Sequence, residues 1–165
     1  MLDSVRGARK FTRALEVGCA EGLFLLLLAQ RCDSILATDV SAIALRRARE
    51  RCRSLSHIEF ALWNVRRDPM TIKFDLIVAM DVLYYLTRRW DLRKAARLLV
   101  DALLPGGYLL VENDKEHYPY EGRRWADYLL HSARAIDSLF VSDPSLEVVL
   151  TEENERYICT VLRKI

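Results

Sequence analysis

Short apolar runs in this 165-residue chain end, one after another, on Asp, Glu or Asn. The run Ala14–Val17 carries Glu16 and meets Gly18-Cys19-Ala20-Glu21-Gly22. Ser34–Thr38 meets Asp39 and Val40, and His57–Leu62 meets Trp63, Asn64 and Val65. Phe74–Met80 stops at Asp81, and Tyr108–Glu112 meets Asn113 and Asp114. A carboxylate about 20 residues past a glycine turn can accept from both hydroxyls of a ribose, which is the chemistry Asp39 offers. Asn64 can pair with an adenine edge, and Trp63 or Val65 can supply an apolar wall. Glu16 and Asp81 can answer positive charge on a ligand. The alternatives are plain: Asp39 as a helix cap, Trp63 as core filling, and acids in loops that are polar in any case.

The turn at Gly18 decides which nucleotide fits. A dinucleotide fingerprint places glycines at 18, 20 and 23, where this chain has Gly18, Ala20 and Leu23. A helix N-terminus that cradles pyrophosphate offers free N–H groups and no competing carboxylate. Here Glu16 and Glu21 flank the turn. Such a rim suits a ligand without phosphate and with positive charge, and S-adenosylmethionine, an adenosine bearing a sulfonium and an amino acid, is one.

Strand, glycine turn and helix form the unit that builds a nucleotide pocket at the carboxyl edge of an α/β sheet. The apolar stretch after the turn predicts a helix over about Glu21–Arg31, apolar almost all round and so buried on the sheet. Ser41 is placed to cap the next helix, with Leu45, Ala48, Cys52 and Leu55 at helical spacing and five arginines on its outer face. The continuous apolar run Phe74–Met80 reads as a central strand covered on both sides. The segment 82–86 reads as helical with a break at Thr87, followed by a helix over about Trp90–Leu104 that Pro105-Gly106-Gly107 ends. A polar loop after Glu112 leads to a helix over about Arg123–Phe140. Leu146–Thr151 and Glu155–Arg163, joined by a short turn, must pair antiparallel. The pattern predicts a Rossmann-like, mostly parallel sheet of seven strands with an antiparallel last strand.

Composition sets the class. Hydrophobic residues make up 52% and charged residues 29%, as in an ordinary globular domain, and 165 residues predict one domain with a core of its own. A formal charge of +2 with no block of lysine and arginine argues against a nucleic-acid partner. The run Leu23–Ala29 is far shorter than the roughly 20 residues of a membrane span, so no membrane partner is expected. Four unpaired-looking cysteines predict reduced thiols and a cytoplasmic protein. The three histidines at 57, 117 and 131 lack ligand spacing, so no metal is expected. With so few residues ahead of Ala14, little or no N-terminal lid is expected over the pocket.

With these residues assembled, the chain resembles a class I S-adenosylmethionine-dependent methyltransferase from about Leu15 to Arg163. Residues 16–22 (EVGCAEG) resemble that family's first motif, and 37–39 (ATD) its ribose-binding acid. FDLIVAMDVLYYL at 74–86 resembles its fourth strand, LLPGGYLLVE at 103–112 its next helix end and strand, and the closing hairpin its antiparallel seventh strand. Within the class, GCAEGLF, ATDVS, DVLYYL and YPYEG resemble the nodulation protein S group of N-methyltransferases, which methylate an amine of a chitooligosaccharide. The resemblance implies S-adenosylmethionine as cofactor, held by Glu16, Gly18, Cys19, Ala20, Gly22, Asp39, Val40, Trp63, Asn64, Val65 and Met80. It implies a small-molecule acceptor, such as the amine of a sugar or natural product. Two positions depart from the group: Asn64 stands where Asp is usual, and Asn113-Asp114-Lys115 where His-Trp-Arg is usual.

Methyl transfer from a sulfonium needs orientation more than a dedicated nucleophile, because the cofactor carries the activated group. Candidate catalytic groups are therefore helpers for an acceptor proton: Asp81, and His117 in the loop after Glu112. Tyr84, Tyr85 and Asn113 are candidates for the acceptor site. A nicotinamide oxidoreductase is disfavoured by the absent glycines at 20 and 23. An RNA methyltransferase would want a basic patch beside the pocket. A catalytically inactive, methyltransferase-like scaffold is the alternative that the motifs alone leave standing.

Overall fold

The structure, a computed structural model, describes residues 10–115 and 132–165. Strands β1 (Ala14–Val17), β2 (Ile35–Asp39), β3 (Ile58–Leu62), β4 (Phe74–Met80), β5 (Leu103–Asp114), β6 (Leu146–Glu153) and β7 (Tyr157–Lys164) form one sheet in the order β3-β2-β1-β4-β5-β7-β6. Six strands, β1 to β6, run in one direction, and β7 inserts antiparallel between β5 and β6. The expected hairpin and the single antiparallel strand are both present.

Period-two alternation explains the layers. In β4, Leu76 and Val78 face one apolar cluster, while Ile77 and Ala79 face the other. The first cluster is closed by α1 (Leu25–Leu28) and α2 (Ala42–Arg51). The second is closed by α3 (Arg89–Ala102) and α4 (Ala133–Val141), which bury Leu92, Leu99, Ile136 and Phe140. Ser41 caps α2 as expected, its Oγ accepting from the Ala44 N–H at 3.2 Å.

Three expectations are corrected. The helix expected over Glu21–Arg31 shrinks to Leu25–Leu28, and Leu23 and Leu27 are exposed rather than buried. Gly22 at φ +78°, a left-handed residue, keeps the first turn of the expected helix from forming. The helix expected to reach Leu104 stops at Ala102, because Leu103 is already extended and pairs with Phe74. Residues 104–107 then bulge before Tyr108 resumes the ladder opposite Leu76. The helix expected from Arg123 begins at Ala133 in the described residues. Ser132 is extended there, and its Oγ accepts the Ala135 N–H at 3.2 Å. Trp125, Tyr128 and Leu129 of that expectation lie outside the described residues. No helix of the described residues is long and apolar enough to cross a membrane.

Candidate functional site

β1, β2 and β4 are adjacent and parallel, so the residues that end them meet at one edge. The turn after β1 is pinned from two sides. The Gly18 and Cys19 N–H groups both donate to the Thr38 carbonyl, at 2.8 and 2.9 Å. The Ala20 N–H donates to Asp39 Oδ2 at 2.9 Å. Ala20 itself sits at φ +46°, a left-handed conformation that non-glycine residues rarely adopt. At Gly18 (φ +73°) an added Cβ would lie 2.5 Å from Val82 Cγ2, so only glycine admits this approach of β1 to the chain after β4.

Asp39 serves the turn and its own helix together, since its Oδ1 accepts the Ser41 N–H at 2.8 Å. Each carboxylate oxygen thus holds one backbone donor and retains a second acceptor position. Glu16 is different. It is 5% exposed, and its Oε2 has no hydrogen-bond partner. Burial, and then the Asp39 charge, push its carboxyl up to about 8. Burial pushes the neighbouring Cys19 thiol up to about 12, which keeps it neutral, and its role in the turn is carried by its backbone.

Glu21 does not rim the pocket with free charge. Its carboxylate pairs with Arg47 and Arg51 of α2, and its carbonyl accepts the Arg51 Nε–H at 2.8 Å. Two of the arginines expected on a solvated face therefore clamp the turn to the helix behind it. Gly22 makes that contact possible, since a Cβ there would stand 3.1 Å from Ala48 Cβ.

After β3, the Trp63 N–H donates to the Asp39 carbonyl at 3.1 Å, which brings this loop to the same edge. Trp63 and Val65 are buried in the cluster under α3, and Trp63 Nε1 has no partner. Asn64 Oδ1 accepts the Arg66 N–H at 3.0 Å in a local turn, so the free hydrogen-bonding group of its amide is the NH2. Arg66 pairs with Asp91 at 2.6 Å and joins this loop to the first turn of α3. Val40 is exposed beside Asp39, and Met80 is half-buried at the end of β4.

The other half of the edge is set by Asp81. At φ +50° it turns the chain out of β4. Its N–H donates to the Glu112 carbonyl at 3.0 Å, and its Oδ1 accepts the Asp114 N–H at 2.8 Å. The ends of β4 and β5 are thereby tied together. A 3-10 turn, Leu83–Tyr85, follows. It holds the Tyr84 and Tyr85 rings 4.6 Å apart, with Tyr84 half-buried and Tyr85 exposed. Burial raises the Tyr84 phenol above its ordinary range, as do its bond to Tyr85 and the Asp81 charge. Asn113 is 1% exposed, with Oδ1 unpartnered. His117 lies outside the described residues.

Sequence reasoning missed two features. Val82, against Gly18, carries no polar signal, and its contact exists only because β1 and β4 are neighbours. A cavity of about 440 Å³ opens beside Met80 and Glu112, walled by Phe24, Leu27, Tyr157 and Cys159. Only the insertion of β7 next to β5 brings Tyr157 and Cys159 there.

Comparison with known proteins gives this edge a context. The family model for nodulation protein S (NodS) matches residues 1–162. Nodulation protein S of Bradyrhizobium diazoefficiens is 35% identical over 147 residues, covering 89% of this chain and 65% of that protein. Nodulation protein S of Sinorhizobium fredii is 41% identical over 99 residues, covering 60% of this chain and 46% of the relative. The chain thus spans about half to two-thirds of the length of these two relatives. Among solved structures, N-methyltransferase NodS from Bradyrhizobium japonicum WM9, in complex with S-adenosyl-l-homocysteine, superposes with a TM-score of 0.81 at 26% identity. That match covers 99% of this chain and 83% of the other. Strand order and superposition together identify the Rossmann-like class I methyltransferase fold. The chain belongs to the nodulation protein S family.

Proposed function

We propose that this chain is an S-adenosylmethionine-dependent N-methyltransferase whose acceptor is a small-molecule amine, such as that of a sugar or natural product. The observation that carries the reading is the buried, unpartnered carboxyl of Glu16 beneath a turn that Asp39 holds open. A buried polar atom without a partner costs about 1–3 kcal/mol, and a ligand that supplies the partner recovers it. The donor set fits the proposed cofactor. Asp39 has acceptor positions left for two ribose hydroxyls, Asn64 has an NH2 for an adenine ring nitrogen, and Val40 offers exposed apolar surface between them. Gly18, Cys19, Ala20 and Gly22 supply the backbone of the turn. Trp63, Val65 and Met80 support the walls. A solved relative agrees, since the N-methyltransferase NodS of Bradyrhizobium japonicum WM9 holds S-adenosyl-l-homocysteine.

When bound, S-adenosylmethionine supplies a sulfonium methyl open to in-line displacement by a neutral nucleophile. The chain's own groups orient the partners and manage one proton. Asp81 is locked by the Asp114 N–H on Oδ1, which leaves Oδ2 to accept a proton from the acceptor. Tyr84 stays a phenol, able to donate a hydrogen bond. Asn113 Oδ1 is an acceptor in want of an N–H or O–H. Acceptor groups and carboxylates at this end of the edge favour a donor-rich amine over an anionic acceptor.

Two measurements test this. Calorimetric titration with S-adenosylhomocysteine should show binding at a single site; no heat and no thermal stabilisation would remove the cofactor reading. A panel of amino sugars, simple amines and matched alcohols, with methylated product read by mass spectrometry, should give product from amines first. Cofactor binding with an entirely unmethylated panel would favour an inactive scaffold.

A further inference from the structure

The cavity of about 440 Å³ shares only Met80 with the groups proposed for the cofactor. Its floor is the face of the sheet on the α1 side. The register of β5, β7 and β6 sets Glu112, Cys159 and Glu152 in one row across that face. The next row, Leu110, Val161 and Leu150, is apolar. Phe24, Leu27, Met80 and Tyr157 give the cavity apolar and aromatic walls, and Gln30 and Arg31, which follow α1, complete the lining. Leu27 is 63% exposed, an apolar side chain that the fold leaves uncovered.

Glu112 is fixed at the mouth of this space. Its carbonyl accepts the Asp81 N–H at 3.0 Å, so its carboxyl stands at the strand end from which Asp81 turns the chain. The Cys159 thiol bonds that carboxylate from β7. Burial, with the Glu112 charge next, pushes the thiol up to about 12, so it remains a donor. A carboxylate has about four acceptor positions, and a single thiol leaves Glu112 with room for further donors. Burial, and then the Asp81 charge, raise the Glu112 carboxyl, and the same field draws a donor or a cation to it.

We propose that this cavity seats the acceptor, and that the acceptor is an amine with an apolar or aromatic body rather than a polyhydroxylated amino sugar: Glu112 receives the amine's N–H groups, and the body lies against Phe24, Leu27 and Tyr157. This rests on the amine-methyltransferase reading and deepens it. Glu112 sets specificity, while the acceptor's proton is left to Asp81 Oδ2 as in that reading. A sugar would bring hydroxyls against aliphatic side chains that cannot bond them, and a buried hydroxyl without a partner costs affinity.

The test uses the full chain, isotope-labelled at its methionine methyls and followed by NMR, with and without S-adenosylhomocysteine. Phenethylamine should shift the Met80 signal and bind at least about tenfold more tightly than phenethyl alcohol or glucosamine. Glu112→Gln should bring the amine and its alcohol to within about twofold of each other. Leu27→Arg, at an exposed position, should weaken the amine about tenfold by placing a cation in the wall, and it keeps the test open where the Glu112 variant does not fold. In methylation of phenethylamine, both losses should fall on KM rather than kcat. Glucosamine binding as tightly as phenethylamine, an unmoved Met80 signal, or an amine affinity unchanged in either folded variant overturns the inference. S-adenosylhomocysteine bound in those same samples leaves the cofactor reading standing. Phenethylamine seated at Met80 without methylated product supports the seat and counts against turnover, so the two readings fail separately.

Discussion

Asp39 Oδ2 accepts the Ala20 N–H at 2.9 Å, so the acid that ends β2 holds the turn that begins after β1. Asp39→Ala should act in two ways. Stability should fall by about 1–3 kcal/mol, because the Ala20 and Ser41 N–H groups lose their acceptor. Affinity for S-adenosylhomocysteine should fall about 10- to 100-fold, as expected for loss of charge-assisted bonds to a ribose. Urea unfolding and calorimetry separate the two. An unchanged affinity would show that Asp39 only shapes the turn.

Gly18→Ala should be among the most damaging single-methyl changes in the chain. It places a Cβ 2.5 Å from Val82 Cγ2 and forces an L-residue to φ +73°. The conformational term alone is about 1–2 kcal/mol. Pairing it with Val82→Ala removes the Cγ2 contact but keeps Val82 Cβ 2.9 Å away, so it should relieve the clash only in part and the backbone strain not at all. A double-mutant cycle should therefore show recovery that is real and incomplete; complete recovery would mean the φ is not costly here.

Stability of the free protein should decline with pH in the neutral range. Burial raises Glu16 above its unfolded value to about 8. A raised group contributes fully below the unfolded pKa, and its contribution is lost as pH rises toward the folded one. The slope from Glu16 is about 1.4 kcal/mol per unit between about pH 5 and 7. Denaturant titrations across that range should show it, and Glu16→Gln should flatten it.

Asn113→Leu should separate acceptor recognition from folding. The amide oxygen has no partner to lose, so unfolding free energy should hold or rise. Cofactor affinity should not move. KM for an amine acceptor should rise about tenfold, if the free oxygen receives an acceptor N–H. An unchanged KM would place the acceptor elsewhere along the edge.

Glu21→Gln should leave cofactor affinity within about twofold and cost well under 1 kcal/mol, since its pairs with Arg47 and Arg51 are solvent-exposed. A large loss of affinity would return Glu21 to the pocket.

Local patterning determined most of what this chain is. Short apolar runs specify seven strands, Gly18 and Gly22 specify the turn, and Ser41 specifies the start of α2, because each signal acts within a few residues. The acids and amides at the strand ends were legible for the same reason. What those groups do depends on neighbours far away in sequence. Glu21 looks like Glu16 on the page, yet Arg47 and Arg51 neutralise one while burial beside Asp39 discharges the other. Asp81 became a tie between β4 and β5 only when Asp114 came beside it. The helix after the turn starts late because Gly22 is left-handed, and Gly22 lies close against Ala48, a contact between elements. Strand identity is set by short local apolar runs. A carboxyl's charge and partners are set by which strands lie side by side, and only the folded sheet decides that.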